Sequence, residues 1–416
     1  MVHVGVGAFH RAHQAAYTQR VDDERRWGIS AFTGRSAVPP ALAEQDGVYT
    51  LVVPGQRPQA TVIDQLTAVS SGRDRDAFRA AIADEGVAVV TVTVTEAGYL
   101  LGDDGRVDPG SAAARADIVA LREGRAAQTA PGRLADALNT RRRTGVPLTV
   151  VSCDNLSGNG GLLRSAVLAI AAGVDEALAD WIRAEVAFPD SVVDRITPAP
   201  TPEACRLAED LTGFEDRAAV LAEAHSEWII ADAFAGDRPA WERAGAVVVH
   251  DVAPYELRKL RLLNAAHTFL ALEGRLRGHV TVAEAFADPA LRRGVDDLWD
   301  AAARSIPATT GLDDYRAALA VRFADAAIPH RLDQIAAGSA EKLRTRVIPT
   351  IEAERRAGRD GDAGLRAVAA FLATEAGTDL PSAVSRLHAP WATDDTVMTT
   401  LRDRAARAAR LPTTHR

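Results

Sequence analysis

At 416 residues, 47% apolar and 25% charged, the chain is long enough for two domains with a large core. A formal net charge of −8 excludes a nucleic-acid partner, which needs a basic field. No apolar run reaches the ~18 residues of a membrane span. Two cysteines, Cys153 and Cys205, are too few for a disulfide framework or a structural zinc site; with no secretory leader at the start, they fit a reducing cytoplasm.

In chain order, the stretch VHVGVGAFHRAHQAAY (2–17) reads as a strand, a glycine turn and a helix. WGISAFTGR (27–35), YTLVV (49–53) and ATVIDQLTAV (60–69) read as strands, and 74–84 as a helix. VAVVTVTVTEAGY (87–99) is a buried strand, 133–145 a helix ending at Gly145, and PLTVVSCDN (147–155) another buried strand. GNGGLLRSAVLAIAAG (158–173) opens a further helix, and 226–234 and 244–252 are the last strand runs. Alternating strands and helices predict an α/β Rossmann-like doubly wound sheet over 1–253. Beyond it, strand runs give way to Ala/Leu/Arg segments at helical period: 255–276, 281–304, 313–325, 340–356, 362–375 and 392–410. An all-helical C-terminal domain over 254–416, carrying substrate and catalysis, is expected, with the joint near Ala253-Pro254.

The glycine turn is the first candidate site. Gly5 and Gly7 between a first strand and a first helix would let a dinucleotide pyrophosphate approach the backbone. Phe9 falls in the same turn, Arg11 is a candidate phosphate contact, and His10 stands where a third glycine is usual. An ordinary tight turn is the competing reading. The second strand ends Phe32-Thr33-Gly34-Arg35-Ser36, with no acid until Glu44. An acid there selects NAD, whereas an arginine accommodates the 2′-phosphate of NADP. NAD or NADP therefore stays open, with Arg35 the residue in question.

The second site is marked by lysine. Among 48 Lys+Arg the chain has two lysines, Lys259 and Lys342. A composition that writes arginine elsewhere keeps lysine where arginine does not serve, and arginine does not give up its proton at working pH. On a helix of 100° per residue with Lys259 at zero, Glu256 lies near about 60°, His267 near about 80° and Asn264 near about 140°. A neutral Lys259 amine would take the hydroxyl proton of an alcohol, and Asn264 would donate to the same oxygen. His267 would orient a neighbouring hydroxyl, and Glu256 would pass the proton outward. A solvated charged face is the alternative. Asn155, at the end of strand 147–155, is placed either as a second amide for that oxygen or as a helix cap.

These residues resemble the polyol-specific long-chain dehydrogenases, the mannitol dehydrogenase family. GVGAFHRAHQ (5–14), QDGVYTL (45–51), SCDNLSGNG (152–160), VDRITP (193–198), EWIIADAF (227–234) and the Lys259/Asn264/His267 spacing occur in family order over nearly the whole chain. The resemblance implies a Rossmann domain followed by a helical one. It also implies metal-independent hydride transfer, with Lys259 as base, Asn155 and Asn264 on the oxyanion and Glu256 in the proton path. The family's short leader is missing before Met1, so the start is read as late. PHRLDQIAAGSAEKLRTR (329–346) is similar to the fructuronate reductase branch, with Ala337 in place of its aspartate; Gln334 stands where mannitol 2-dehydrogenases tend to carry arginine. Lys342, with Arg331, Arg344 or Arg346, would hold a sugar-acid carboxylate. The expectation is a metal-free NAD(P) oxidoreductase of a small-molecule sugar acid or polyol. Mannonate/fructuronate comes first and mannitol/fructose second, with a dinucleotide-binding sensor as the non-catalytic alternative. No membrane partner is expected, and the state is a monomer or weak oligomer. The Tyr255…Lys259 spacing also matches a short-chain dehydrogenase motif, but it falls after all the strands and is read as coincidence.

Overall fold

The computed structural model describes residues 1–410 except 35, 103, 200 and 375–378. The chain folds as two compact units, Met1–Ala253 and Pro254–Arg416.

Twelve strands are described, all in the first unit: β1 (Val2–Val4), β2 (Ile29–Phe32), β3 (Tyr49–Val53), β4 (Gln59–Ile63), β5 (Leu66–Ser70), β6 (Val89–Val92), β7 (Leu148–Ser152), β8 (Val186–Ala187), β9 (Ser191–Asp194), β10 (Val220–Leu221), β11 (Glu227–Ala231) and β12 (Val247–Val249). Six form one sheet in the order β5-β2-β1-β6-β7-β8. Every pairing in it is parallel. The order reverses beside β1, so the strand carrying the glycine turn sits at the switch point where such sheets bind ligands. The Val/Ile-rich strands are buried on both faces, as a covered parallel sheet requires. One face packs Val4, Phe32, Phe78, Val90 and Leu134. The other packs Ala31, Val89, Val151, Trp228 and Trp241.

Two expectations need correction. The run 60–69 is not one strand but two, β4 and β5, which join different sheets. The break falls at Asp64-Gln65. Gln65 is buried, and its amide donates to Asp22 Oδ2 and the Trp27 carbonyl, both at 2.7 Å. The runs at 49–53, 226–234 and 244–252 lie outside the main sheet, in the three-stranded sheets β10-β3-β4 and β12-β11-β9. β9, short and without a clear run of its own in the sequence, supplies the antiparallel partner of β11.

The second unit is helical around one core, centred on Leu262, Phe269, Leu298, Trp299, Phe323 and Val347. Its long helices are interrupted in two places by π-wound turns, Lys259–Asn264 and Leu343–Val347. In the first, the Ala265 amide reaches back to the Leu260 carbonyl. The indole of Trp299 donates to the Leu262 carbonyl at 3.0 Å, so the loosened turn keeps its buried acceptor satisfied. In the second, Pro349 lies just downstream and has no amide to continue an α ladder. The Ile348 amide bonds Leu343 instead.

Candidate active site

In the first unit, the candidate residues are built on β1. Gly5 has φ +104°, and a Cβ there would lie 2.1 Å from the Thr93 carbonyl oxygen. Only glycine fits, and the chain turns sharply out of the sheet. The turn is pinned by Gly5 and Val6 amides to the Phe32 carbonyl, at 2.8 and 3.1 Å, and by the Thr93 hydroxyl to the Gly5 carbonyl at 2.8 Å. Gly7 is exposed and precedes the helix Ala8–Ala12, and a Cβ there would stand 3.7 Å from the Gly5 carbonyl oxygen, an ordinary contact. Phe9, half-buried in the first helical turn, stacks on His13 with centroids 5.0 Å apart. The residues present therefore fit a dinucleotide, whose pyrophosphate Gly5, Gly7 and the amides beyond Gly7 would face.

Arg11 does not join them. Its guanidinium turns into the interior, donating to the Ala218 carbonyl at 2.5 Å and lying 5.2 Å from the Tyr49 ring centroid. At 7% exposure it ties the glycine-turn helix to the β10-β3-β4 sheet, and its role as a phosphate contact is withdrawn. Arg35 lies outside the described residues. His3 of β1 and His10 of the turn are fully buried against each other. His10 stacks face to face on His3, which bonds the Thr91 and Thr93 hydroxyls at 2.8 and 3.1 Å. Burial pushes His3 down to about 3 and His10 well below its usual value, so both stay neutral.

Asn155 is exposed just past the carboxyl end of β7. The capping alternative fails for it: the helix Asn159–Val174 is capped by Gly158, without a side-chain bond. The structural amide of this segment is Asn159, fully buried, which accepts from the Ser191 amide and donates to the Ser191 carbonyl, each at 2.9 Å. Two asparagines four residues apart thus divide into one committed to the fold and one presented at the surface.

In the second unit, the candidate residues are carried by the first π turn. Lys259 and His267 are each 8% exposed, while Glu256 and Asn264 are half-buried. A uniform α-helix would leave Asn264 about 140° from Lys259. With about 4.4 residues per turn over the π segment, the angle closes to about 50°, and His267 comes to within about 10° of Lys259. The π winding gathers the four polar groups onto one face. His267 lies against Phe323 at 4.7 Å and edge-on to His330 at 4.8 Å. His330 was not singled out from the sequence, although it stands one residue before Arg331 in the family-like segment 329–346.

The second π turn packs on the first. Arg261 donates to the Arg346 carbonyl at 3.2 Å, and Arg346 reaches the Thr268 hydroxyl at 3.4 Å. Thr268 in turn donates to the Asn264 carbonyl at 2.9 Å. The Lys342 ammonium donates to the Ile335 carbonyl at 2.8 Å. Burial lowers Arg261, Arg346 and Lys342 from their usual values, and the nearby Arg346 charge lowers Lys342 further. No carboxylate pairs with any of these three among the described residues, although arginine–carboxylate pairs are common elsewhere in the chain. Arg344 turns away to Glu341 and the Arg386 carbonyl. Arg331 is exposed and forked on Asp333 at 2.7 and 3.1 Å, so its predicted carboxylate role is withdrawn. Gln334 is exposed on the short helix Leu332–Ala336. No cluster of His, Cys, Asp and Glu among the described residues has the makings of a metal site.

A doubly wound parallel sheet with its glycine turn at the switch point, joined in one chain to a helical unit that presents a buried lysine, an amide and an imidazole on one face, defines a dinucleotide-dependent oxidoreductase. The model of the mannitol dehydrogenase Rossmann domain matches residues 1–243, and that of the mannitol dehydrogenase C-terminal domain matches 251–414. The chain belongs to the mannitol dehydrogenase family, whose relatives are oxidoreductases of alcohols. It is 36% identical to D-mannonate oxidoreductase of Escherichia coli (strain K12) over 365 residues, 84% of this chain and 74% of that one. It is 37% identical to D-arabinitol 4-dehydrogenase of Ralstonia nicotianae, over 84% of this chain and 77% of that one. Pseudomonas fluorescens mannitol 2-dehydrogenase, solved as a ternary complex with NAD and D-mannitol, superposes with a TM-score of 0.80 at 30% identity, covering 98% of this chain and 90% of that one.

Proposed function

We propose that the chain interconverts a secondary alcohol and a ketone on a sugar acid, D-mannonate and D-fructuronate first, using NAD or NADP. The observation that carries the choice of a sugar acid is the set Arg261, Lys342 and Arg346: three partly buried cations in and beside the two π turns, none paired with a carboxylate among the described residues. Partly buried cations left without anions are costly, and a substrate carboxylate would relieve that cost with charge-assisted bonds. A polyol offers only neutral hydroxyls. Mannitol/fructose is the second reading, favoured by the resemblance to mannitol 2-dehydrogenase along nearly the full chain.

In this reading the buried Lys259 amine accepts the hydroxyl proton during oxidation, and the carbinol hydrogen leaves as hydride. Desolvation and neighbouring cations are the surroundings in which a lysine amine acts as a base. Asn264, brought round by the π winding, donates to the oxygen as it becomes a carbonyl oxygen. Asn155 keeps the second amide role that the sequence resemblance implies. His267, held by Phe323 and His330, orients the neighbouring hydroxyl, and Glu256 carries the proton outward. The bound nicotinamide supplies the hydride acceptor, or the donor in reduction.

The test is an initial-rate panel of mannitol, arabinitol, mannonate and altronate with NAD and with NADP. Mannonate turned over with the highest kcat/KM supports the proposal. Mannitol in that place moves the reading to the polyol, and eight flat traces reject the substrate class.

A further inference from the structure

β1 carries a buried histidine two residues before Gly5, and the hydrogen bonds around it have a fixed direction. The Gly5 carbonyl accepts from the Thr93 hydroxyl at 2.8 Å and from the Gly7 amide at 2.6 Å. A hydroxyl has one hydrogen, and that of Thr93 goes to Gly5. The Thr93 oxygen, 3.1 Å from His3 Nε2, therefore faces that nitrogen as an acceptor, and Nε2 carries the hydrogen. Burial keeps the ring neutral, pushing His3 down to about 3, so Nδ1 is bare. Nδ1 lies 2.8 Å from the Thr91 hydroxyl, which donates to it. The result is a chain of hydrogen bonds of one sense, from Thr91 to His3, from His3 to Thr93, and from Thr93 to the Gly5 carbonyl.

The sheet sets this chain up. His3 of β1 is in register with Thr91 of β6, and Thr93 follows two residues on, so both hydroxyls fall on the face that His3 occupies. His10 lies flat on the imidazole, with centroids 3.2 Å apart and planes within 9°, which fixes the plane of the ring. A Cβ on Gly5 would stand 2.7 Å from Thr93 Oγ1, so the hydroxyl reaches the turn only because a glycine is there. With the Thr93 hydroxyl and the Gly7 amide both bonded to it, the Gly5 carbonyl has its two lone pairs occupied. A carbonyl oxygen released from those bonds and turned toward a pyrophosphate would repel it. The opposite His3 tautomer would draw the Thr93 hydrogen to Nε2 and take it from Gly5.

We propose that His3 is a positioning residue for the dinucleotide: as its Nε2–H tautomer it directs the Thr93 hydroxyl onto the Gly5 carbonyl and so holds the turn in the form that admits the pyrophosphate. The proposal rests on the reading of the glycine turn as the nucleotide site, and a separate variant tests that reading. Gly7 has φ −90°, open to any residue, and a Cβ there makes an ordinary contact, so Gly7→Val should fold and yet block NADH and NADPH. Binding is measured by calorimetric titration of the full-length protein with NADH and with NADPH, and folding by thermal melting. Glutamine places its amide near the Nε2 of the histidine it replaces, and asparagine near the Nδ1. His3→Gln, which keeps a donor toward Thr93, is expected to bind within about threefold of the parent, whereas His3→Asn should bind about tenfold more weakly. Thr93→Ser should behave as the parent and Thr93→Val as His3→Asn. Because the two residues act in series, the double variant His3→Asn/Thr93→Val should lose no more than either single one. A measurement that needs no variant is 15N NMR of the histidine-labelled parent, with His3 expected protonated at Nε2 and bare at Nδ1. Equal binding by the glutamine and asparagine variants, additive losses in the double variant, or the opposite tautomer overturns the proposal and leaves the nucleotide reading standing. Tight binding retained by Gly7→Val, or no binding by the parent, removes the nucleotide reading and this proposal with it.

Discussion

Two basic regions of the molecule differ in the residue that carries the charge. The cavity at the ends of β2 and β5 is lined by Arg73, Arg75 and Arg133. The paired π turns hold both lysines of the chain, Lys259 opening the first and Lys342 leading into the second. In the first region a permanent, forked cation suffices, because its described bonds only tie the fold: Arg75 clamps Asp136, and Arg133 bridges the Gly34 and Gly72 carbonyls. In the second, the proposed task at Lys259 is to take a proton and give it back, which a guanidinium does not do at working pH. Lys342 lies between the two cases: its compact head caps the Ile335 carbonyl and retains two further donors for an anion. The arginine-rich composition thus makes the exceptions readable, and the exceptions fall where chemistry is proposed.

That contrast breaks first at Lys259. Lys259→Met should lower kcat by about 10²- to 10⁴-fold, the range for loss of a general base, while nucleotide binding measured by titration stays as in the parent. A variant that retains full turnover would reduce the lysine to a structural role. Next comes the anion reading of the second π turn. Arg346→Ala should raise KM for mannonate by about 10- to 100-fold, as expected from about 1.5–3 kcal/mol for a bond to a charged group, with a far smaller effect on mannitol. Equal effects on acid and polyol would mean that Arg346 only props the two turns together.

A pH series sharpens the same comparison. Burial and the Arg346 charge lower Lys342, so its ammonium loses its proton at a lower pH than an ordinary lysine. The affinity for a sugar acid is expected to be full on the acid side of that titration and to fall as pH rises through it. Mannitol, with no carboxylate to hold, should lack the alkaline rise in KM, and parallel KM profiles for the two substrates would contradict the assignment. The smallest effect concerns the winding itself. Trp299→Phe keeps a ring but removes the donor to Leu262, and should cost on the order of 1–3 kcal/mol in urea unfolding. Some loss of kcat should accompany it as the π turn relaxes, and an unchanged kcat would separate the bond from the placement of Asn264.

Much of this was legible in the residues. Strand and helix alternation over the first 253 positions and helical period beyond them are local patterns, and burial on both faces of a parallel sheet follows from Val/Ile-rich runs. The glycine turn was readable because a strand leaving a sheet so sharply tolerates only Gly at a positive φ such as that of Gly5. The lysines were readable because their rarity is a property of composition alone. Tertiary packing decided the rest. Arg11 and Arg133 look alike in sequence, yet one turns into the interior against Tyr49 and Ala218, while the other crosses two strand ends. Asn155 and Asn159 share one motif, and only the partner strand β9 shows which of them the fold consumes. The angle between Lys259 and Asn264 depends on a π turn that no propensity encodes. Within that turn the Leu262 carbonyl is also bonded by Trp299, distant in sequence, and long-range contacts of that kind are invisible to any local reading of the chain.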